Sequence, residues 1–187
     1  MEFEAGAGPR FALDLGGMCA GAVWLPSPNH DERPSDATID LVVIHAISLP
    51  PGEFGGPHVT DLFLNRLDSQ GHPYFREIEG LKVSSHFFIR RDGDLIQYVP
   101  CELRAWHAGA SQWKGRERCN DFSVGIELEG TDDVPFENPQ YATLNDLIAA
   151  LDTRYGTLEI AGHSDVSPGR KTDPGPHFDW NRVRPRN

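Results

Sequence analysis

Strands alternating with helices, joined at one point by a tight hairpin, predict an α/β fold: a central mixed β-sheet with helices packed on it. Three stretches carry this expectation. Residues 39–46, Ile-Asp-Leu-Val-Val-Ile-His-Ala, are almost continuously apolar, the pattern of a central strand buried on both faces. Residues 84–91 and 95–99 flank Asp92-Gly93-Asp94 and read as a β-hairpin. Further on, Tyr141, Leu144, Leu147, Ile148, Leu151 and Tyr155 recur at helical spacing.

The elements follow in order. Residues 1–20, rich in Gly and Ala and without periodicity, are expected to form a loosely ordered extension, and residues 21–187 a single domain. A chain of 187 residues can enclose a full core without staples. After Pro26, Pro28 and Pro34, the central strand ends its apolar run at His45. Prolines 50, 51 and 57 with glycines 52, 55 and 56 then predict an extended loop. Val59, Leu62, Phe63 and Leu67 predict a short helix over 58–67. Beyond the hairpin, residues 122–129, Phe-Ser-Val-Gly-Ile-Glu-Leu-Glu, alternate as a strand does. Asn138 as cap and Pro139 at the first helical position open the long helix, and Gly156 closes it. Leu158 to Ala161 form a short strand that runs into His163.

A net charge of −11 argues against a nucleic-acid binder, because phosphate binding needs a basic face. A small anion can still be held by a local cluster of Arg and Lys. Cys19, Cys101 and Cys119 are odd in number and irregularly spaced, so they predict buried free thiols in a reducing compartment. The N-terminus carries Glu2 and Glu4 before its first arginine and makes a poor signal peptide. No run approaches the roughly 20 apolar residues of a membrane span. A soluble cytoplasmic enzyme is expected.

The tail supplies the chemistry. Residues 162–175, Gly-His-Ser-Asp-Val-Ser-Pro-Gly-Arg-Lys-Thr-Asp-Pro-Gly, must form a shaped loop that can fold His163 and Asp173 toward one point with Lys171 nearby. A catalytic zinc site takes three protein ligands and leaves a position for water. Among the other histidines His45 is the strongest third ligand, since it terminates a buried strand and ligands gather at strand ends in α/β sheets. His86 and His107 read either as hydrogen-bonded core residues or, for His107, as a pocket residue beside Trp106. Asp165 either orients His163 or caps the loop. Glu127 and Glu129 face the same side of one strand; either could serve as a general base near a metal, or both could lie on a salt-bridged face.

Together these segments resemble the zinc-dependent N-acetylmuramoyl-L-alanine amidases, and among them the branch that acts on 1,6-anhydro-muropeptides in cell-wall recycling. The resemblance runs from about Val23 to Arg184. It rests on Pro-Ser-Pro-Asn-His (26–30), Ile-Ser-Leu-Pro-Pro-Gly-Glu-Phe-Gly-Gly-Pro (47–57), His-Pro-Tyr-Phe (72–75) and Arg-Arg-Asp-Gly (90–93). It continues through Arg-Ala-Trp-His-Ala-Gly (104–109), Gly-Arg-Glu-Arg-Cys-Asn-Asp-Phe-Ser (115–123), Gly-Ile-Glu-Leu-Glu-Gly-Thr-Asp (125–132) and the tail.

The resemblance implies the fold of peptidoglycan recognition proteins and one zinc ion held by His45, His163 and Asp173. It makes Glu127 and Lys171 catalytic, and it sets Arg118 and Arg170 to hold carboxylates of the stem peptide. Lys82 and Trp106 join them as expected substrate contacts. Two positions depart from the family pattern. Ala46 stands where Asn is expected to touch substrate or pocket wall, and Lys82 stands where Arg is expected, keeping a charge without the bidentate fork. The expected partner is a small-molecule anhydro-muropeptide, with no nucleic acid, no membrane and a monomeric enzyme. A lytic amidase acting on intact cell wall and a non-catalytic muropeptide-binding module are the competing readings.

Overall fold

The computed structural model describes residues 9–183. Its central sheet has six strands: β1 (Val23–Trp24), β2 (Leu41–Ile47), β3 (Phe87–Ile89), β4 (Leu95–Gln97), β5 (Ser123–Glu129) and β6 (Glu159–Gly162). Four α-helices are α1 (His58–Phe63), α2 (Pro73–Glu77), α3 (Asn138–Tyr155) and α4 (His163–Val166). The strands lie in the order β6-β2-β5-β3-β4-β1. The first four run parallel, the β3–β4 hairpin is antiparallel, and β1 pairs parallel with β4. The sheet is therefore mixed, as the sequence predicts.

Side-chain alternation sorts the strands onto two layers. Val42, Ile44, Val124, Ile126, Leu128, Phe87 and Ile89 meet Leu144, Leu147, Ile148 and Leu151 of α3 in one core. Burying each such side chain contributes about 1.5–3 kcal/mol. On the opposite face Phe88, Ile96 and Tyr98 pack with Val59, Leu62, Phe63 and Phe75 of α1 and α2, while Leu41, Val43 and Ala161 pack beside Val166. Odd-numbered residues of β2 and β5 project to this second face. His45 and Glu127 belong to that set.

Three boundaries differ from the sequence expectation. The helix expected over 58–67 ends at Phe63, since Asn65 takes a left-handed φ of 57° that no helix continues. The cap of α3 is Glu137 rather than Asn138: Glu137 and Gln140 form a reciprocal capping box, with Gln140 Oε1 accepting from Glu137 N at 2.9 Å. Asn138 instead accepts from Arg182 Nη2 at 2.8 Å, and Gly156 closes the helix as expected. Finally, residues 10–20 are not a loose extension. Ala12–Leu13 pairs with Cys19–Ala20, Phe11 and Cys19 are buried in the α3 core, and Arg10 Nη1 donates to Thr143 Oγ1 at 2.8 Å. One aromatic and one guanidinium anchor a segment too short to show periodicity; residues 1–8 lie outside the described residues. All three cysteines are free and buried. Among the described residues no helix is long and apolar enough to cross a membrane.

Candidate metal centre

The parallel register builds the site. Ile44 of β2 lies level with Gly162 of β6, so His45 and His163 emerge side by side where both strands end. His163 opens α4, and the Gly162 amide donates to Asp165 Oδ2 at 2.8 Å, which makes Asp165 the cap of that turn. The loop after α4 folds back until Ser164 N donates to the Asp173 carbonyl at 2.9 Å, and this delivers the Asp173 carboxylate to both imidazoles.

The three side chains form a compact triangle. Nδ1 of His45 lies 2.9 Å from Nδ1 of His163, and Asp173 Oδ2 lies 3.0 Å from His163 Nδ1 and 3.2 Å from His45 Nδ1. A tetrahedral zinc with bonds of about 2.0–2.1 Å sets its ligand atoms roughly 3.3 Å apart. Two imidazole nitrogens and one carboxylate oxygen at these separations fit that requirement, and the triangle opens on a cleft of about 680 Å³.

The protonation states fit as well. Burial pushes the His45 pKa down to about 4, with His163 and Lys171 adding to the drop and Asp173 opposing it. Burial alone would raise the Asp173 carboxyl, but the imidazoles of His163 and His45 beside it hold it well below the usual carboxylate range. Near neutral pH the site therefore offers a bare imidazole and a carboxylate anion, as a divalent cation needs.

Glu127 lies level with His45 in the β5–β2 register. Its Oε1 is 4.0 Å from His45 Nδ1, and its Oε2 is buried with no hydrogen-bond partner among the described residues. Burial, then the Asp173 charge, raises its pKa well above the ordinary value, against the pull of Lys171. Glu129, two residues on, accepts from Gly55 N at 2.6 Å and Arg91 N at 3.1 Å. One glutamate is left unsatisfied at the site and the other is saturated by backbone.

Of the residues expected at the site, His45, Glu127, His163, Lys171, Asp173 and Trp106 line the one cleft, and Ala46 joins them. The Trp106 indole donates to Asp31 Oδ1 at 3.2 Å. Arg118 and Arg170 instead share a separate open depression with Ser111 and Ser167. Arg118 pairs with Asp121 at 3.2 Å, and Arg170 Nη2 donates to the carbonyls of Ala108 at 2.6 Å and Ala110 at 2.8 Å. Lys82 borders neither; it lies on a small pocket with Phe75 that shares Leu62, Ile78 and Leu81 with the cleft.

His86 is a core residue, its Nδ1 accepting from Gly125 N at 3.0 Å and its pKa pushed by burial, then by Arg33, down to about 3. His107, left open by the sequence, is buried with its Nδ1 2.9 Å from His45 Nε2. No pattern in the sequence signals that contact. These imidazoles predict acid lability. His45 and His86 are neutral when folded but protonate near pH 6.5 when unfolded. Below about pH 6.5 metal-free protein should lose on the order of 1 kcal/mol per pH unit for each imidazole, partly offset by Glu127, whose raised pKa favours the folded state as pH falls. Urea midpoints of chelator-treated protein between neutral and moderately acid pH would show this; flat midpoints would refute it.

Comparison with known proteins agrees with this geometry. Residues 35–176 match the N-acetylmuramoyl-L-alanine amidase family model. The chain is 55% identical over 170 residues to the 1,6-anhydro-N-acetylmuramyl-L-alanine amidase AmpD of Escherichia coli K12, covering 90% of this chain and 93% of that protein. It superposes on the crystal structure of a selenomethionine AmpD derivative with a TM-score of 0.89 at 54% identity, covering 92% of this chain and 97% of that one. Drosophila PGRP-LB, 19% identical over 85% of this chain and 90% of its own, shares the fold with a TM-score of 0.57. A zinc-ready triangle at the strand ends of this sheet, with that degree of likeness, shows that the chain belongs to the N-acetylmuramoyl-L-alanine amidase family, in the AmpD branch.

Proposed function

We propose that this chain hydrolyses the amide between the lactyl group of 1,6-anhydro-N-acetylmuramic acid and L-alanine in soluble anhydro-muropeptides, a step of cell-wall recycling. The observation that carries the reading is the buried, unpartnered Glu127 oxygen beside His45, His163 and Asp173. A carboxylate left without partners in a cleft costs stability and is held there for proton transfer. The likeness to AmpD supports the substrate class.

His45, His163 and Asp173 would hold one zinc ion, which when bound would supply a water acidified toward a pKa of about 7 and a Lewis acid for the carbonyl. Glu127 takes the proton from the attacking water and passes it to the alanine nitrogen as the carbon–nitrogen bond breaks. The products are the sugar's lactyl carboxylic acid and a stem peptide with a free amine. Lys171 sets an ammonium beside the carbonyl oxygen that becomes anionic, where one such donor is worth about 10²–10³ in rate. Trp106 walls the cleft, while Arg118 and Arg170 present charge in a separate depression to stem-peptide carboxylates and Lys82 lines a small pocket that shares Leu62, Ile78 and Leu81 with the cleft. The reading extends to a monomeric cytoplasmic enzyme with residues 21–187 as its catalytic unit, which three free buried thiols fit.

Mass spectrometry of an anhydro-muropeptide digest tests this. Free sugar and free stem peptide are expected, cleavage stops with a chelator and returns with zinc, and intact sacculi stay uncut. Unchanged masses with zinc present would overturn it. Ala46, half-buried on the cleft, gives a further check. Ala46→Asn restores an amide where the family pattern has one and is expected to lower KM about 2–10-fold, the worth of one hydrogen bond. Steady-state kinetics with an unchanged KM would dismiss that contact.

A further inference from the structure

We propose that His107 is a positioning residue that fixes the tautomer of His45, so that the Nδ1 lone pair of His45 faces His163 and Asp173. The inference rests on the reading that these three residues hold the metal. A neutral imidazole has one N–H, and which nitrogen carries it decides whether the ring can ligate through Nδ1.

The assignment starts from a group that cannot donate. Ser123 Oγ lies 2.6 Å from the Cys119 carbonyl oxygen and 3.2 Å from His107 Nε2. A carbonyl only accepts, so the single hydroxyl hydrogen goes there, and toward His107 the serine oxygen can only accept. His107 Nε2 therefore carries the hydrogen and its Nδ1 is bare. That bare Nδ1 is 2.9 Å from His45 Nε2, which must be the N–H. His45 Nδ1 is then left unprotonated, 2.9 Å from His163 Nδ1 and 3.2 Å from Asp173 Oδ2.

His163 has a shorter form of the same device: its Nε2 lies 3.2 Å from the Ala108 carbonyl oxygen, which leaves Nδ1 bare. Two backbone carbonyls thus set both imidazoles. Their placement is built in. Asn120 Oδ1 accepts from Ala108 N at 2.8 Å and His107 N at 3.3 Å, pinning the segment that bears one carbonyl and one ring. Arg33 in turn donates to the Asn120 carbonyl at 3.0 Å and the Ser123 carbonyl at 2.8 Å. Strand β5 makes room with Gly125, where a Cβ would come within 2.5 Å of His107 Cγ.

Removing an outer partner of a metal-ligating histidine typically costs about 10–100-fold in metal affinity. Zinc affinity of the full chain, read by competition with a chromogenic chelator, should fall by about that factor in His107→Phe, which fills the space without an acceptor. His107→Asn returns an acceptor oxygen near the Nδ1 position and should restore affinity close to wild type. Ser123→Ala removes the directing hydroxyl, and nitrogen-15 histidine spectra of the metal-free protein should then show both His45 tautomers. The same spectrum of unsubstituted protein should show His45 protonated on Nε2 alone. Wild-type affinity in a folded His107→Phe, or a His45 protonated on Nδ1, overturns the proposal. Should His107→Phe fail to fold, the wild-type spectrum and Ser123→Ala decide. Wild-type protein that binds no zinc would sink the metal reading instead, while the spectrum still judges the tautomer.

Discussion

Glu127→Gln is expected to retain one zinc ion per chain while turnover falls by about 10²–10⁴, the usual worth of a general acid–base. Glutamine keeps the shape of the side chain, so the cavity and the strand register stay as they are. It removes only the capacity to accept and return a proton. Zinc retention follows from position: Glu127 Oε1 stands 4.0 Å from His45 Nδ1, outside the 2.9–3.2 Å triangle of ligand atoms. The loss should fall on kcat with little change in KM, as for a group that acts only in the transition state. Metal analysis run beside turnover on soluble anhydro-muropeptide checks both halves. Full activity would remove Glu127 from the chemistry.

His163→Ala should lose the metal itself. The substitution removes one corner of the triangle, the nitrogen 3.0 Å from Asp173 Oδ2, leaving two ligands for a cation that needs three. Losing an outer partner already costs about 10–100-fold in affinity, so losing a direct ligand should exceed that. A thermodynamic readout needs no substrate. Zinc at about 1,000 times its Kd stabilises a folded binder by roughly 4 kcal/mol. Thermal unfolding should therefore shift upward with zinc in the unsubstituted chain and stay fixed in His163→Ala. An equal shift in both would exclude His163 as a ligand.

Much of this arrangement is legible in the residues, and the gaps have physical causes. The apolar run that becomes β2 and the helical stripe of α3 announce themselves because burial imposes a period on a contiguous stretch. Strand order does not, since β2 and β5 pair across about 80 residues that no local pattern links. Asn138 outranks Glu137 by intrinsic capping preference, yet the reciprocal bond with Gln140 decides the cap. His45, His163 and Asp173 stand out because strand ends and a proline-glycine loop leave side chains free to converge. Glu127 and Glu129 cannot be told apart by alternation; only the amides of Gly55 and Arg91, both distant in sequence, separate them. His107 escapes for the same reason, its contact with His45 spanning 62 residues.

His45 and Glu127 lie on sheet strands and His163 directly follows one, whereas Lys171 and Asp173 ride two residues apart on a single loop. On the proposed reading, the negative charge that would balance the cation and the positive charge that would meet the substrate oxygen thus sit two residues apart on one loop. That loop cannot withdraw one and leave the other behind. Ion capture and readiness for catalysis would consequently be assembled, or forfeited, in the same motion.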